Sequence, residues 1–349
     1  MTLDDVRAVD PSGMYDILVR FPAQVEEALA IGRAARLPRP PRGITSIVLT
    51  GLGGSAIAGD LLRSYLAGKL DVPLIVNRHY TLPAFVGRGT LVLVSSYSGN
   101  TEETNAAHRA AERRGAKILC ISSGGITSTL AARHGRPLIR IPGGLPPRGA
   151  LGYSFFPLLL ALTRMGFVPS RAREIAETVA LLRAQAKAFS DPASEGNPAA
   201  AIAEMLNRRI GIIYAAADLL EPVATRWRGQ LEENAKTLAF SHILPEMNHN
   251  EIVGWQVLTG AMKEMQVIFL RDSEDHPRVQ TRIDVTRSLL LPYTGRITEV
   301  WSQGVGRLAR MFSLVQLADW VSLYLAAAHG VDPMPVAAID RLKKALADT

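Results

Sequence analysis

Cysteine is almost absent: the 349 residues contain one, Cys120, inside the apolar run KILCIS. A single thiol excludes a disulfide framework and a thiolate metal site, and its surroundings read as a buried strand. Lysine is scarce as well. Of the 39 Lys and Arg only seven are lysine, and the arginines are scattered along the chain rather than gathered into a run. The formal net charge of +7 therefore reads as a basic solvated surface and not as a nucleic-acid footprint, although such a field attracts an anionic substrate. Long hydrophobic runs are missing too. The stretch FFPLLLALT from Phe155 stops at Arg164, well short of the roughly 20 residues that span a bilayer. The opening MTLDDVRAVDPSGMYD has no basic segment leading into an apolar one, so it does not read as a secretory leader. The histidines lack metal-ligand spacing. The expectations are a cytoplasmic protein with no metal, no cofactor, no nucleic-acid partner and no membrane partner.

What is present is an alternation. Ser46 to Gly51, Val72 to Val76, Thr90 to Ser96, Ala116 to Ser122 and Pro137 to Ile141 are short apolar runs. Helical spacing falls between them, at Ala56 to Leu66 and Thr101 to Arg114. Strands without polar alternation, separated by helices, argue for a parallel sheet covered on both faces. Helix is expected from Met14 to Arg36, ending at the break LPRPPRG, and again from Leu151 to about Gln185. The polar stretch FSDPASEGNP (Phe189 to Pro198) is the best linker candidate. The alternation then restarts, with strands at Arg209 to Ala217, Met265 to Asp272 and Arg296 to Ser302. Helices are expected at Glu221 to Ala239, Val305 to Ala328 and Val336 to Leu346. The expected organisation is a helical segment at 1–42, a first α/β domain at 43–189 and a second at 198–349.

Two motifs carry chemistry. LTGLGGSAIAGD (Leu49 to Asp60) is a glycine-rich turn between a strand and a helix, where free backbone N–H groups can meet an anion. As a dinucleotide fingerprint it would need an acid about 20 residues on, but the next strand ends in Asn77 and Arg78. SSYSGNTEET (Ser95 to Thr104) brings the hydroxyls of Ser96, Ser98 and Thr101 to the start of a helix. Phosphate oxygens want many fixed donors, and hydroxyls with backbone N–H groups supply them. The plainer alternative is an ordinary capped helix start.

SYSGNTEET after a strand, with GLGGSA upstream, resembles the sugar isomerase (SIS) domain. RWRGQLEENAK (Arg226 to Lys236), LPEMNHNEIVGW (Leu244 to Trp255), PPRGALGYSFFPLL (Pro146 to Leu159) and GVDPMPVAAIDRLKKAL (Gly330 to Leu346) resemble the bifunctional phosphoglucose/phosphomannose isomerase family. The resemblance runs from about Gly51 to the C-terminus. It implies two SIS-type three-layer α/β/α domains with mainly parallel sheets, an active site between them, and a metal-independent aldose–ketose isomerisation through an enediol(ate). Glucose 6-phosphate and mannose 6-phosphate would both pass to fructose 6-phosphate. The resemblance assigns the C1–C2 proton transfer to Glu233; a carboxylate can take and return one proton, and Glu232, about 100° away on a helix, cannot face the same way. His249 is implied as the ring-opening acid, contributed by the partner of a homodimer. Lys343 is implied in ring opening, with Lys344 as the alternative. Arg148 is implied to stabilise the enediolate, and Gly54 and Ser55 to bind the sugar phosphate with Ser96, Ser98 and Thr101.

Two positions depart from the family pattern. Met334 stands where a threonine is common and could shift the balance between the two sugars. Met247 stands where leucine is common, a volume-conserving exchange. The rival expectations are an isomerase of another sugar phosphate, or a sugar-phosphate sensor without catalysis.

Overall fold

The computed structural model describes residues 1–38 and 42–347. Arg39 to Pro41, the centre of the proline break expected after the first helical segment, lie outside the described residues, as do Asp348 and Thr349. The chain divides into two compact units. One comprises Arg20–Ala180 with Gly306–Ala309; the other comprises Met1–Val19, Leu181–Val305 and Arg310–Thr349.

The first unit holds five parallel strands: β1 (Ser46–Thr50), β2 (Leu74–Asn77), β3 (Thr90–Ser95), β4 (Lys117–Ser122) and β5 (Leu138–Arg140), in the order β2-β1-β3-β4-β5. Both β1 and β3 are buried along their whole length. Their continuous apolar character is what a sheet covered on both faces requires. Cys120 is a fully buried β4 residue, and burial pushes its thiol up to about 12.

The second unit holds β6 (Ile210–Ala216), β7 (Ala239–Leu244), β8 (Met265–Arg271) and β9 (Ile297–Trp301), all parallel, in the order β7-β6-β8-β9. This repeats the first four positions of the other sheet, so both are wound outward in two directions from a switch point, β1/β3 in one and β6/β8 in the other. The 23-residue helix Arg307–His329 is long and apolar enough to cross a membrane by length and composition, yet it is almost wholly buried. Two of its charges are paired inside the protein. Asp319 accepts two bonds of 2.9 Å from Arg226, and Arg310 Nε donates to Asp272 at 3.0 Å.

The helices differ from the expected elements at three places. The expected helix from Glu221 to Ala239 ends at Ala235 because Lys236 adopts the left-handed conformation, and the chain then forms β7. As an edge strand β7 is only partly buried, so AFSHIL lacks the apolar run that marks interior strands. The helix expected to run from Leu151 to Gln185 is two, Leu151–Arg164 and Ala172–Phe189, separated around Gly166 (φ +79°). The helix expected from Met14 to Arg36 is two, Met14–Val19 and Phe21–Ala34, and a further short helix, Leu3–Val9, precedes them.

One core histidine is expected to make the first unit sensitive to acid. His108 is fully buried on the helix Glu102–Arg113, with Cys120 Sγ at 3.9 Å and Glu112 Oε1 at 3.8 Å from its Nε2. Burial pushes its pKa down to about 4 against the pull of Glu112; His134, Arg109 and Arg136 act in the same direction as burial. The unfolded chain therefore binds the extra proton first as pH falls. Stability is expected to decline from about pH 6.5 to pH 4. Urea titrations across that range should show the decline in the wild type and a flatter profile in His108→Gln.

Candidate active site

The phosphate-binding candidates occupy the switch point of the first sheet. The chain leaves β1 toward β2 and leaves β3 toward β4, which opens a crevice at the carboxyl ends of β1 and β3. Each strand feeds a helix there, Gly53–Leu66 after β1 and Glu102–Arg113 after β3. Neither has a side-chain cap: Leu52 has none to offer, and Thr101, at the N-cap position, makes no capping bond. Uncapped first turns leave backbone N–H donors and the positive end of the helix dipole toward the crevice.

The hydroxyls of the second loop are organised differently from an ordinary cap. Ser96 Oγ accepts from Gly99 N–H at 3.1 Å and donates to Thr101 Oγ1 at 3.1 Å, while exposed Ser98 accepts from Asn100 N–H at 3.2 Å. Buried Ser55 Oγ accepts from Tyr97 N–H at 3.1 Å and ties the two loops together. Gly99 (φ +76°) lets the turn lie against Gly124; an added Cβ would sit 1.8 Å from that carbonyl oxygen. Supports that the sequence motifs did not identify lie below this turn. Asn105 Nδ2 donates to Gly99 O at 3.1 Å, and Thr127 Oγ1 donates to Asn105 Oδ1 at 2.9 Å.

Gly54 brings Arg148 to the same crevice. A Cβ on Gly54 would lie 2.5 Å from the Pro147 carbonyl oxygen, so the glycine turn and the short 3₁₀ turn Pro147–Gly149 are in intimate contact. Arg148 itself is buried. The turn is braced from the N-terminal region: Gln24 Nε2 donates to Gly149 O and Gln24 Oε1 accepts from Gly152 N–H, each at 2.8 Å. Gly54→Ala is expected to cost about 1–3 kcal/mol of stability through forced overpacking. Thermal melts measure the effect.

Glu233, His249 and Lys343 belong to the other unit. Glu233 is half-buried on the helix Glu221–Ala235. This helix is held rigidly. Gln230 Nε2 donates to Asp319 at 2.7 Å, Trp227 Nε1 to Leu314 O at 2.9 Å, and Asn234 Nδ2 to Ser322 Oγ at 2.9 Å. One turn before Glu233, a Cβ on Gly229 would meet no atom within 4 Å. Glu232 points elsewhere, with Arg228 Nε at 3.9 Å; burial raises its pKa, Arg228 lowers it and Glu233 raises it further.

His249 ends the short turn Glu246–His249 and is exposed. Its neighbours anchor the loop. Met247 is fully buried, packing with Tyr214, Trp255 and Phe269, and Asn248 Nδ2 donates to Thr286 Oγ1 at 2.8 Å. A chain missed from the sequence completes the anchor. Trp255 Nε1 donates to Tyr214 OH at 3.2 Å, Tyr214 OH donates to Glu251, and Glu251 Oε2 lies 2.6 Å from His242 Nδ1. Burial, the first cause, and Glu251, the second, push the Tyr214 phenol upward.

Lys343 and Lys344 are both exposed on the helix Ala337–Ala347. Ile339, Leu342 and Leu346 form an exposed apolar stripe on it. At about 100° per residue Lys343 flanks that stripe and Lys344 projects from the opposite face, so the fold distinguishes the two lysines.

Comparison with known proteins follows the same division. A SIS domain model matches residues 43–135, and a model of the bacterial phospho-glucose isomerase C-terminal SIS domain matches residues 195–346. A bifunctional phosphoglucose/phosphomannose isomerase from Caldicellulosiruptor bescii is 42% identical over 336 residues, covering 96% of this chain and 99% of its own. The chain belongs to the bifunctional phosphoglucose/phosphomannose isomerase family. A member from Aquifex aeolicus is 36% identical across 86% of this chain and 90% of its own. The fold is also that of a glucose-6-phosphate isomerase-like protein from Thermus thermophilus, at a TM-score of 0.64 and 18% identity over 99% of each chain. Two SIS-type domains with parallel sheets are thus present, as the sequence led one to expect.

Proposed function

We propose that this protein interconverts glucose 6-phosphate, mannose 6-phosphate and fructose 6-phosphate by a metal-independent proton transfer through a shared enediol(ate). The observation that carries the reading is the pair of uncapped helix starts, Leu52–Ser55 and Ser96–Thr101, tied together by Ser55 and Tyr97. It stands in a chain related along almost its whole length to bifunctional isomerases. The loops take the phosphate through backbone N–H groups and the hydroxyls of Ser55, Ser96, Ser98 and Thr101. His249 and Lys343 pass protons to and from the ring oxygen as the sugar opens and closes. Glu233 removes the proton from C2 of the aldose and returns it to C1, while the Arg148 guanidinium offsets charge growing on the enediolate oxygens. Glucose and mannose differ only at C2, which is planar in the enediol, so one base serves both sugars. The domains we propose are those of the sequence, 43–189 and 198–349. A reducing cytoplasm suits the lone buried thiol.

We further place His249 in the active site of a second copy, in a homodimer. Exposed His249 and the exposed Val253, Val257 and Leu258 that follow it support this, as does the apolar stripe beside Lys343, since large apolar side chains left in water favour association. Two experiments test the reading. Coupled assays on each aldose phosphate, with EDTA present, should show turnover of both. Turnover of neither would send the assignment to another sugar phosphate or to sensing. Mixing Glu233→Gln with His249→Ala protein should recover about a quarter of wild-type activity after subunit exchange, because about half the dimers are mixed and each holds one intact site. No recovery from an exchanging dimer would return His249 to its own chain's site.

A further inference from the structure

Lys236 ends the Glu233 helix in a conformation that lysine does not favour. It is one of two non-glycine residues at positive φ among the described residues, at φ 56° and ψ 31°. That position of a helix end usually belongs to glycine or asparagine, and a side chain there crowds the following carbonyl. Its backbone N–H bonds Leu231 O in the usual way, and glycine would do that equally well. The side chain does something glycine cannot. Lys236 Nζ donates to Glu233 O and, at 3.3 Å, to Pro333 O.

These two acceptors lie on different elements. Glu233 O belongs to the last turn of the helix that carries the base. Pro333 lies in the segment Asp332–Pro335, where Met334 N–H bonds Asp332 Oδ1 at 2.8 Å, and which leads into the helix Ala337–Ala347 with Lys343. One ammonium therefore joins the base's helix to the segment containing Met334 and preceding Lys343. Backbone strain retained where a less strained residue would serve points to function.

We propose that Lys236 is a positioning residue: it fixes the Asp332–Pro335 segment against the end of the Glu233 helix, and so sets the register of Met334 and Lys343 relative to the base. This rests on the reading of Glu233 as that base. Loss of the tether lets the segment shift while the helix remains capped, which changes how the two aldose phosphates are presented. A misplacement of about 1 Å is enough to cost up to about a hundredfold in rate.

The test uses Lys236→Gly and Lys236→Asn, both at ease in the left-handed conformation, with Lys236→Arg as the conservative variant that keeps N–H donors. Tm, kcat and KM are measured on the full-length protein with glucose 6-phosphate and mannose 6-phosphate separately. The expected result is an unchanged or raised Tm in the Gly and Asn variants and kcat/KM lowered by about tenfold or more. The ratio of mannose- to glucose-phosphate turnover should change, with substantial recovery in Lys236→Arg. Unchanged kinetics in the Gly and Asn variants, or an equal loss on both substrates that merely follows a lowered Tm, would overturn the proposal. Glu233→Gln is assayed alongside: its retaining full turnover would remove the base assignment, whatever Lys236 does, and the Lys236 kinetics would fail or stand by their own outcome.

Discussion

Glu233→Gln is expected to lower kcat for glucose 6-phosphate and mannose 6-phosphate together, by about 10²- to 10⁴-fold, the usual contribution of a positioned base. The substitution keeps the shape of the side chain and removes only its ability to accept and return a proton. The helix around it is fixed by Asn234 to Ser322, Gln230 to Asp319 and Trp227 to Leu314, so the backbone should not move. KM is accordingly expected to change little, because the loops proposed to take the phosphate are left unaltered. A parallel loss on both substrates is the informative feature, since a single base would serve a common intermediate. Steady-state kinetics with both sugars measure it; retention of one activity would mean that two different groups act as bases.

The largest stability effect should come from the ion pair beneath that helix. Arg226 and Asp319 are each nearly inaccessible, and Gln230 adds a third hydrogen bond to the pair. Burial raises the Asp319 carboxyl's pKa, while Arg226 and Gln230 pull it back down. Asp319→Ala would leave a guanidinium buried without its counter-charge, which costs about 3–5 kcal/mol. Replacing both partners, as Arg226→Met with Asp319→Leu, should recover most of that loss, because an apolar pair of similar volume has no charge to desolvate. Urea denaturation of the single and double variants gives both numbers. The double variant also tests whether the pair serves the site: normal stability with reduced kcat would mean that its role is to orient the Glu233 helix.

Much of this architecture was legible because interior parallel strands leave a plain trace. SIVLT, TLVLVS and MQVIFLR carry no polar alternation since both faces are covered. β7 left no such trace, being an edge strand with Ser241 and His242 in it. The glycine turn and the hydroxyl turn could be singled out as candidate phosphate loops from residue type and position alone. Their supports could not, because Gln24, Asn105 and Thr127 act through long-range hydrogen bonds that have no local spacing. The same holds for Tyr214, His242 and Glu251 under the His249 loop. Resemblance alone assigns roles to Glu233, His249 and Lys343; on periodicity alone each would pass for a surface residue. The helix geometry adds one distinction that the string RLKKAL could not, placing Lys343 beside the apolar stripe and Lys344 away from it.

Isotope transfer tests the central claim most directly. Fructose 6-phosphate would be converted in D2O and the hydrogen at C2 of both aldose products followed by NMR. A proton carried by Glu233 exchanges with solvent during the life of the enediol(ate), so deuterium should enter C2 of glucose 6-phosphate and of mannose 6-phosphate, and conversion should stop in Glu233→Gln. Products that remain free of deuterium at C2 after many turnovers, together with conversion that persists in Glu233→Gln, would mean direct hydride transfer from C1 and would contradict the proton-transfer account.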